Sequence, residues 1–155
     1  MSAGRVRLRH VGIPAHVCLH IPDAWHHRSF HTGAILTRII IIDPFRLVIE
    51  GRQLEGDTEA AFLPQFHEII GGYLTLACQI PVPGGSPDVC YVDDDGLYKY
   101  DRGFVLAGWG HQTYMGTGLI TGSNYNGDTV SARVQMIEVR QRLGWALPLK
   151  PHNDH

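Results

Sequence analysis

The stretch from Gln65 to Leu97, QFHEIIGGYLTLACQIPVPGGSPDVCYVDDDGL, constrains the fold more than any other part of this chain. Leu63, Phe66, His67, Ile69 and Ile70 follow the three- and four-residue spacing of a helix face. Gly71 and Gly72 stop that helix, because glycine enters the left-handed conformation without a steric penalty. Residues 73–80 and 88–92 read as strands, and the intervening PVPGGSP joins them as antiparallel neighbours. Asp94, Asp95 and Gly96 supply turn chemistry after the second strand. A helix feeding two antiparallel strands points to the α+β class: a small, mostly antiparallel sheet with one or two packed helices in a single domain.

The flanking segments extend this reading. Residues 36–42 form a strand that is apolar on both faces at Ile39, Ile40, Ile41 and Ile42, as expected of an interior strand. Asp43-Pro44 marks a turn, and residues 47–50 a short hairpin partner followed by a polar loop over 51–57. Asp57 or Thr58 could cap a helix beginning at Ala60. Pro64 favours a start near Leu63, with the proline in the first turn. Residues 97–100 read as a continuing strand and 104–109 as a further apolar piece. Residues 113–121 read as one strand, whose Gly116 and Gly118 mark a bulge or close packing, and residues 124–128 as a turn. A final helix is expected after Thr129 or Ser131 and before Gly144. The alternation over 130–139 also admits a strand.

With 155 residues, one domain is the natural expectation. Residues 1–33 stand apart as a His-rich N-terminal extension holding six of the ten histidines, residues 34–147 as the core and 148–155 as a polar tail. The net charge of −2 argues against nucleic-acid binding driven by phosphate contacts, which needs a basic face. No apolar run reaches membrane length and no secretory segment opens the chain, so the expected location is cytoplasmic, or the host cytoplasm for a viral gene. Cys18, Cys78 and Cys90 form no disulfide framework. Cys78 and Cys90 fall on adjacent strands, where two buried thiols are expected ahead of a bridge.

Four pieces, in order, carry a resemblance: RIIIIDP (38–44), EIIGGYL (68–74), YVDDDGLYK (91–99) and GTGLITGSNYNGD (116–128). From about residue 38 to 132 the chain resembles a small uncharacterised domain family of bacteriophages and bacterial mobile elements, catalogued as domain of unknown function 3846. The family's acidic turn usually opens with Asn-Glu, where this chain has Asp93-Asp94. The resemblance implies an accessory protein of a phage or plasmid and implies no established reaction.

Several constellations bear on chemistry. Gly108-Trp109-Gly110-His111 with Tyr114 places glycines beside aromatic rings, so a flat ligand can approach the backbone and stack. Lys99 or Arg102 can then hold a phosphate. These five residues, Lys99, Arg102, Trp109, His111 and Tyr114, are the candidate site for a nucleotide-like ligand. A buried tryptophan in a tight turn is the plainer account of the same pattern. GTGLITG has neither phosphate-loop nor dinucleotide-binding spacing.

His16, Cys18 and His20 alternate and share one strand face, a possible set of zinc ligands without a standard zinc signature. Asp93, Asp94, Asp95 and Asp101 offer oxygen ligands but miss the calcium-loop spacing, and a solvated turn explains them. Cys90, His111 and Asp93 contain the residue types of a triad, yet nothing like a nucleophile elbow surrounds Cys90.

These features favour a binding protein over an enzyme, with no cofactor required. The first expectation is a non-catalytic accessory protein that occupies a host protein or sequesters a small nucleotide-like ligand, with homo-oligomers compatible. The second is a metal-dependent enzyme or zinc-stabilised module built on the N-terminal histidines, and the third a structural virion component.

Overall fold

Four consecutive isoleucines set the first strand. The computed structural model describes residues 36–149, and β1 (Leu36–Asp43) opens it. Ile39 and Ile41 are buried on one face of β1, Ile40 and Ile42 on the other, so both faces of the sheet are covered. The turn after β1 is held by the Asp43 carboxylate, which accepts the Phe45 and Arg46 N–H groups at 2.9 and 3.1 Å.

β2 (Val48–Glu55) is twice as long as the hairpin partner expected. It pairs with β1 antiparallel, from Leu36 opposite Glu55 to Asp43 opposite Val48. The loop expected over 51–57 is therefore strand as far as Glu55. β2 lies at the end of its sheet, where polar residues such as Glu50 and Arg52 reach water without leaving the ladder.

α1 (Glu59–Ile70) begins four residues before the expected start, with Thr58 at its N-cap and Pro64 inside it. Phe62, Phe66 and Ile70 are buried along one face. That face includes Phe62, a full turn ahead of Phe66, and burying it outweighs the hydrogen bond that Pro64 cannot donate. Gly71, at φ 83°, closes the helix and donates its N–H to the His67 carbonyl at 2.8 Å.

β3 (Leu74–Ile80) and β4 (Asp88–Asp93) pair antiparallel as expected, with an irregularity between Leu76 and Cys78. Residues 97–100 do not continue as strand. The segment Gly96–Lys99 forms a single helical turn, α2, because Asp95 O accepts the Tyr98 and Lys99 N–H groups. After β5 (Gly103–Leu106), the strand expected over 113–121 divides at Gly116, whose φ is 87°. Its first part is β6 (Tyr114–Met115) and its second β7 (Gly118–Ser123).

The main sheet has the order β2-β1-β7-β4-β3, and β8 (Thr129–Val130) pairs with β7. A second sheet has the order β6-β5-β9, with β9 spanning Leu143–Ala146. Pairing throughout is antiparallel except for one isolated parallel bridge between Ala107 and Gly110. The protein is thus an α+β domain over the described residues. α1 covers one face of the main sheet through Phe62, Phe66 and Ile70 against Ile39, Ile41 and Leu119. The second sheet and α3 (Met136–Arg142) cover the other, through Phe104, Leu106 and Val139 against Ile40, Ile42, Cys90 and Ile120.

The final helix starts later than expected and is not capped by Thr129 or Ser131. Gln135 is its N-cap, and the Gln135 N–H donates to the Glu138 carboxylate at 3.2 Å. The delay has a cause in two side chains. The Arg38 guanidinium donates to the Ala132 and Val134 carbonyls at 2.8 and 2.7 Å. The Asp88 carboxylate accepts the Arg133 and Val134 N–H groups at 2.6 and 2.8 Å. Backbone groups that a helix would use are already taken.

Candidate functional site

The turn that follows β5 presents Trp109. Leu106 O accepts the Trp109 and Gly110 N–H groups at 3.1 and 2.8 Å, and Gly108 sits at φ 82°. Arg142 packs closely over this glycine: a Cβ at 108 would lie 2.7 Å from its guanidinium nitrogen. Arg142 comes from the last turn of α3, and its guanidinium carbon lies 4.6 Å from the centre of the half-buried Trp109 ring. The same guanidinium donates to the Ala107 carbonyl at 3.0 Å, which fixes it against the ring.

Around this pair lies a groove of about 330 Å³, lined also by Pro81, Val82 and Pro83 of the β3–β4 loop and by Arg133 and Glu138. Arg133 is oriented by the buried Asp88 carboxylate, 3.4 Å from its Nε, and by the Ser86 carbonyl. The groove therefore combines one aromatic face, an apolar proline-containing segment, the Arg142 guanidinium, the Arg133 guanidinium paired with buried Asp88, and the carboxylate of Glu138. Such a surface suits a flat anionic molecule.

The five residues nominated from sequence are spread over several surfaces. Only Trp109 lines this groove. Tyr114 is buried, donates its hydroxyl to the Ala77 carbonyl at 3.0 Å, and borders a separate depression of about 450 Å³ whose lining includes Asp93, Asp94, Leu97 and Tyr98. Lys99 is bonded to Asp93 at 2.9 Å. His111 is exposed in a shallow dip with Val105 and Gln112. The Arg102 carbonyl accepts the Gly116 N–H at 2.8 Å, and its side chain makes no hydrogen bond among the described residues. The arginines that share the groove with Trp109, Arg133 and Arg142, lie 24 and 33 positions away along the chain, and no local signal links them to it.

The acidic turn is organised by its own residues. Burial alone would raise the Asp93 carboxyl. The Lys99 ammonium at 2.9 Å, the Asp95 N–H at 3.0 Å and the Tyr100 hydroxyl at 3.2 Å together hold it below the usual range. Burial, and then the Asp93 carboxylate, raise the Tyr100 phenol. This is a satisfied structural network.

Cys78 and Cys90 are directly opposite on β3 and β4, both free and both buried. The neighbouring Cys78 thiol and complete burial push the Cys90 thiol well above its ordinary value, the reverse of what a nucleophile needs. Among the described residues no three His, Cys, Asp or Glu side chains form a metal-binding group. His16, Cys18 and His20, and the strand expected around them, lie outside the described residues. No helix among the described residues is long and apolar enough to cross a membrane.

No family model matches the chain, and no curated protein or solved structure matches it either.

Proposed function

We propose that this chain is a non-catalytic binding protein that takes a small anionic, nucleotide-like ligand in the Trp109–Arg142 groove. In the setting that the sequence resemblance implies, it would serve a phage or mobile element by sequestering that ligand in the host. The observation that carries the reading is the Arg142 guanidinium 4.6 Å from the Trp109 ring centre. It places a stacking surface beside a fixed positive charge, and Arg133, paired with Asp88, adds a second guanidinium along the same groove.

The test is titration calorimetry of the untagged full chain with adenosine and guanosine mono- and triphosphates, alongside native mass spectrometry of the protein as purified. The expected result is saturable binding of at least one nucleotide, weakened about tenfold or more by Trp109→Ala and by Arg142→Ala, as expected for lost stacking and lost charge-assisted hydrogen bonding. Absence of binding to all four nucleotides, or binding untouched by both substitutions, overturns the proposal.

A further inference from the structure

β3 carries one residue more than the strand it pairs with. Leu76 stands opposite Tyr91 and Cys78 opposite Cys90, so Ala77 has no opposite number in β4. This insertion is a β-bulge, and it decides which face Cys78 occupies. In an unbroken strand Cys78 would share the face of Leu74, which packs into the cluster beneath α1. With Ala77 as the extra residue, Cys78 turns to the other face, into the cluster that holds Cys90, Phe104 and Tyr114. The Tyr114 hydroxyl, bonded to the Ala77 carbonyl at 3.0 Å, holds the extra residue in place. Two free thiols are thereby set directly opposite each other on one face of neighbouring strands. We propose that Cys78 and Cys90 are a peroxide-responsive pair, closing to a cross-strand disulfide and reopening with thiol reductant.

The backbone already has the spacing that such a bond needs. Facing residues of an antiparallel ladder hold their Cα atoms about 4.5–5.5 Å apart, inside the range of about 4.4–6.8 Å that a disulfide spans. β3 ends the main sheet and pairs with β4 alone, so it can adjust without parting a second ladder. The two sulfurs are not equivalent. Cys78 keeps 8% of its surface exposed and Cys90 none, so an oxidant from solvent meets Cys78 first. The Cys90 thiol beside it lowers the Cys78 thiol by more than burial raises it, which favours the nucleophilic thiolate at that position. Hydrogen peroxide is small enough to reach a sulfur that stays closed to a bulky aromatic reagent.

The chemistry balances with peroxide as the oxidant. The Cys78 sulfur attacks one peroxide oxygen, the O–O bond breaks, and the departing hydroxide leaves as water with the Cys78 proton. Cys78 is then a sulfenic acid. The Cys90 sulfur attacks the Cys78 sulfur, the S–O bond breaks, and the second hydroxide leaves as water with the Cys90 proton. Each sulfur gives up one electron, and one peroxide becomes two waters. The bond closes the loop over 79–89 and ties the end strand to its neighbour.

The test treats the full chain, in a Cys18→Ser background, with hydrogen peroxide in buffer. The protein is then unfolded in urea, its remaining thiols are alkylated and counted, and its peptides are mapped. Both thiols are expected to disappear together, the map to show Cys78 joined to Cys90 within one chain, and dithiothreitol to restore both. Cys90→Ser is expected to stop at a sulfenic acid on Cys78, captured by dimedone, and Cys78→Ser to leave Cys90 reduced. Two thiols still open to alkylation, oxidation beyond the sulfenic acid without a bridge, or a bridge only between two chains overturns the proposal. So does oxidation of Cys90 in Cys78→Ser, since Cys78 would then not be the sulfur that meets the peroxide. The two-thiol protein carries neither of these core substitutions, so its thiol count decides the matter even where a variant fails to fold. Nucleotide binding reports on the Trp109 groove separately.

Discussion

Asp88 accepts the Val134 backbone N–H at 2.8 Å across 46 positions of chain, with its carboxylate wholly removed from water. The same carboxylate accepts the Arg133 N–H at 2.6 Å. Asp88→Ala leaves two backbone donors without this acceptor and is expected to cost about 2–6 kcal/mol, at roughly 1–3 kcal/mol for each buried unsatisfied group. Asp88→Asn, which keeps one acceptor oxygen, is expected to cost less. Urea unfolding followed by circular dichroism measures both. A loss for Asp88→Ala no larger than that for Asp88→Asn would show that the bond is dispensable.

The Asp93 network makes stability depend on pH at both ends of the scale. The Asp93 carboxyl is lowered from 3.8, so its contribution is complete above that value and is lost as pH falls through the folded one. The Lys99 ammonium is raised from 10.5 by Asp93, so its contribution is complete below 10.5 and is lost as pH rises beyond it. Thermal melts between these limits are expected to be flat with respect to this pair. Asp93→Asn should make the acid decline shallower without abolishing it, because Asp43 is also held low: burial raises it, and Arg46 with nearby backbone N–H groups outweighs that. An acid limb identical to that of the unaltered protein would rule out this role.

Gly103 meets Met115 where β5 pairs with β6, and a Cβ there would lie against the Tyr114 carbonyl and 2.9 Å from the Met115 Cα. The obstacle is backbone, which cannot rotate aside. Gly103→Ala is expected to destabilise by about 1–3 kcal/mol, the range for overpacking a close-packed site. It should also expose Tyr114, readable as a change in near-ultraviolet circular dichroism. A variant with unaltered stability and spectrum would mean that the two strands separate freely.

The paired thiols Cys78 and Cys90 should be silent in the native state. In a Cys18→Ser background, an aromatic disulfide reagent is expected to modify neither until the protein opens, at a rate that rises with denaturant. Two equivalents reacting within the mixing time in buffer would place the pair at the surface.

What could be read from the sequence followed burial. The isoleucine run of β1, the paired glycines after α1 and the antiparallel β3–β4 unit are local signals, and each is in place. The misreadings come from residues whose partners are distant. Pro64 spoke for a late helix start, but Phe62 and Phe66 answer to Ile39 and Ile41. Residues 51–55 looked like loop because an end strand tolerates polar side chains. Thr129 and Ser131 are helix-capping types, but Arg38 and Asp88 bind the backbone of residues 132–134 and keep it out of the helix. The Trp109 site follows the same pattern. Its aromatic residue was visible in a glycine-flanked turn, whereas the arginine that stacks on it arrives from another element.

The position of β7 has a consequence for biogenesis. Within the described sheet, the hairpin of β1 and β2 and the hairpin of β3 and β4 are joined edge to edge only through β7. As the polypeptide leaves the ribosome, both hairpins are made before the strand that welds them. Until Gly118–Ser123 emerges, Ile40 and Ile42 face an unfilled slot and Cys90 has a neighbour on one side alone. A nascent chain stalled in that interval would be a natural client for a holding chaperone. A synonymous slow codon ahead of residue 118 should therefore lengthen the sticky phase without changing a single atom of the finished protein.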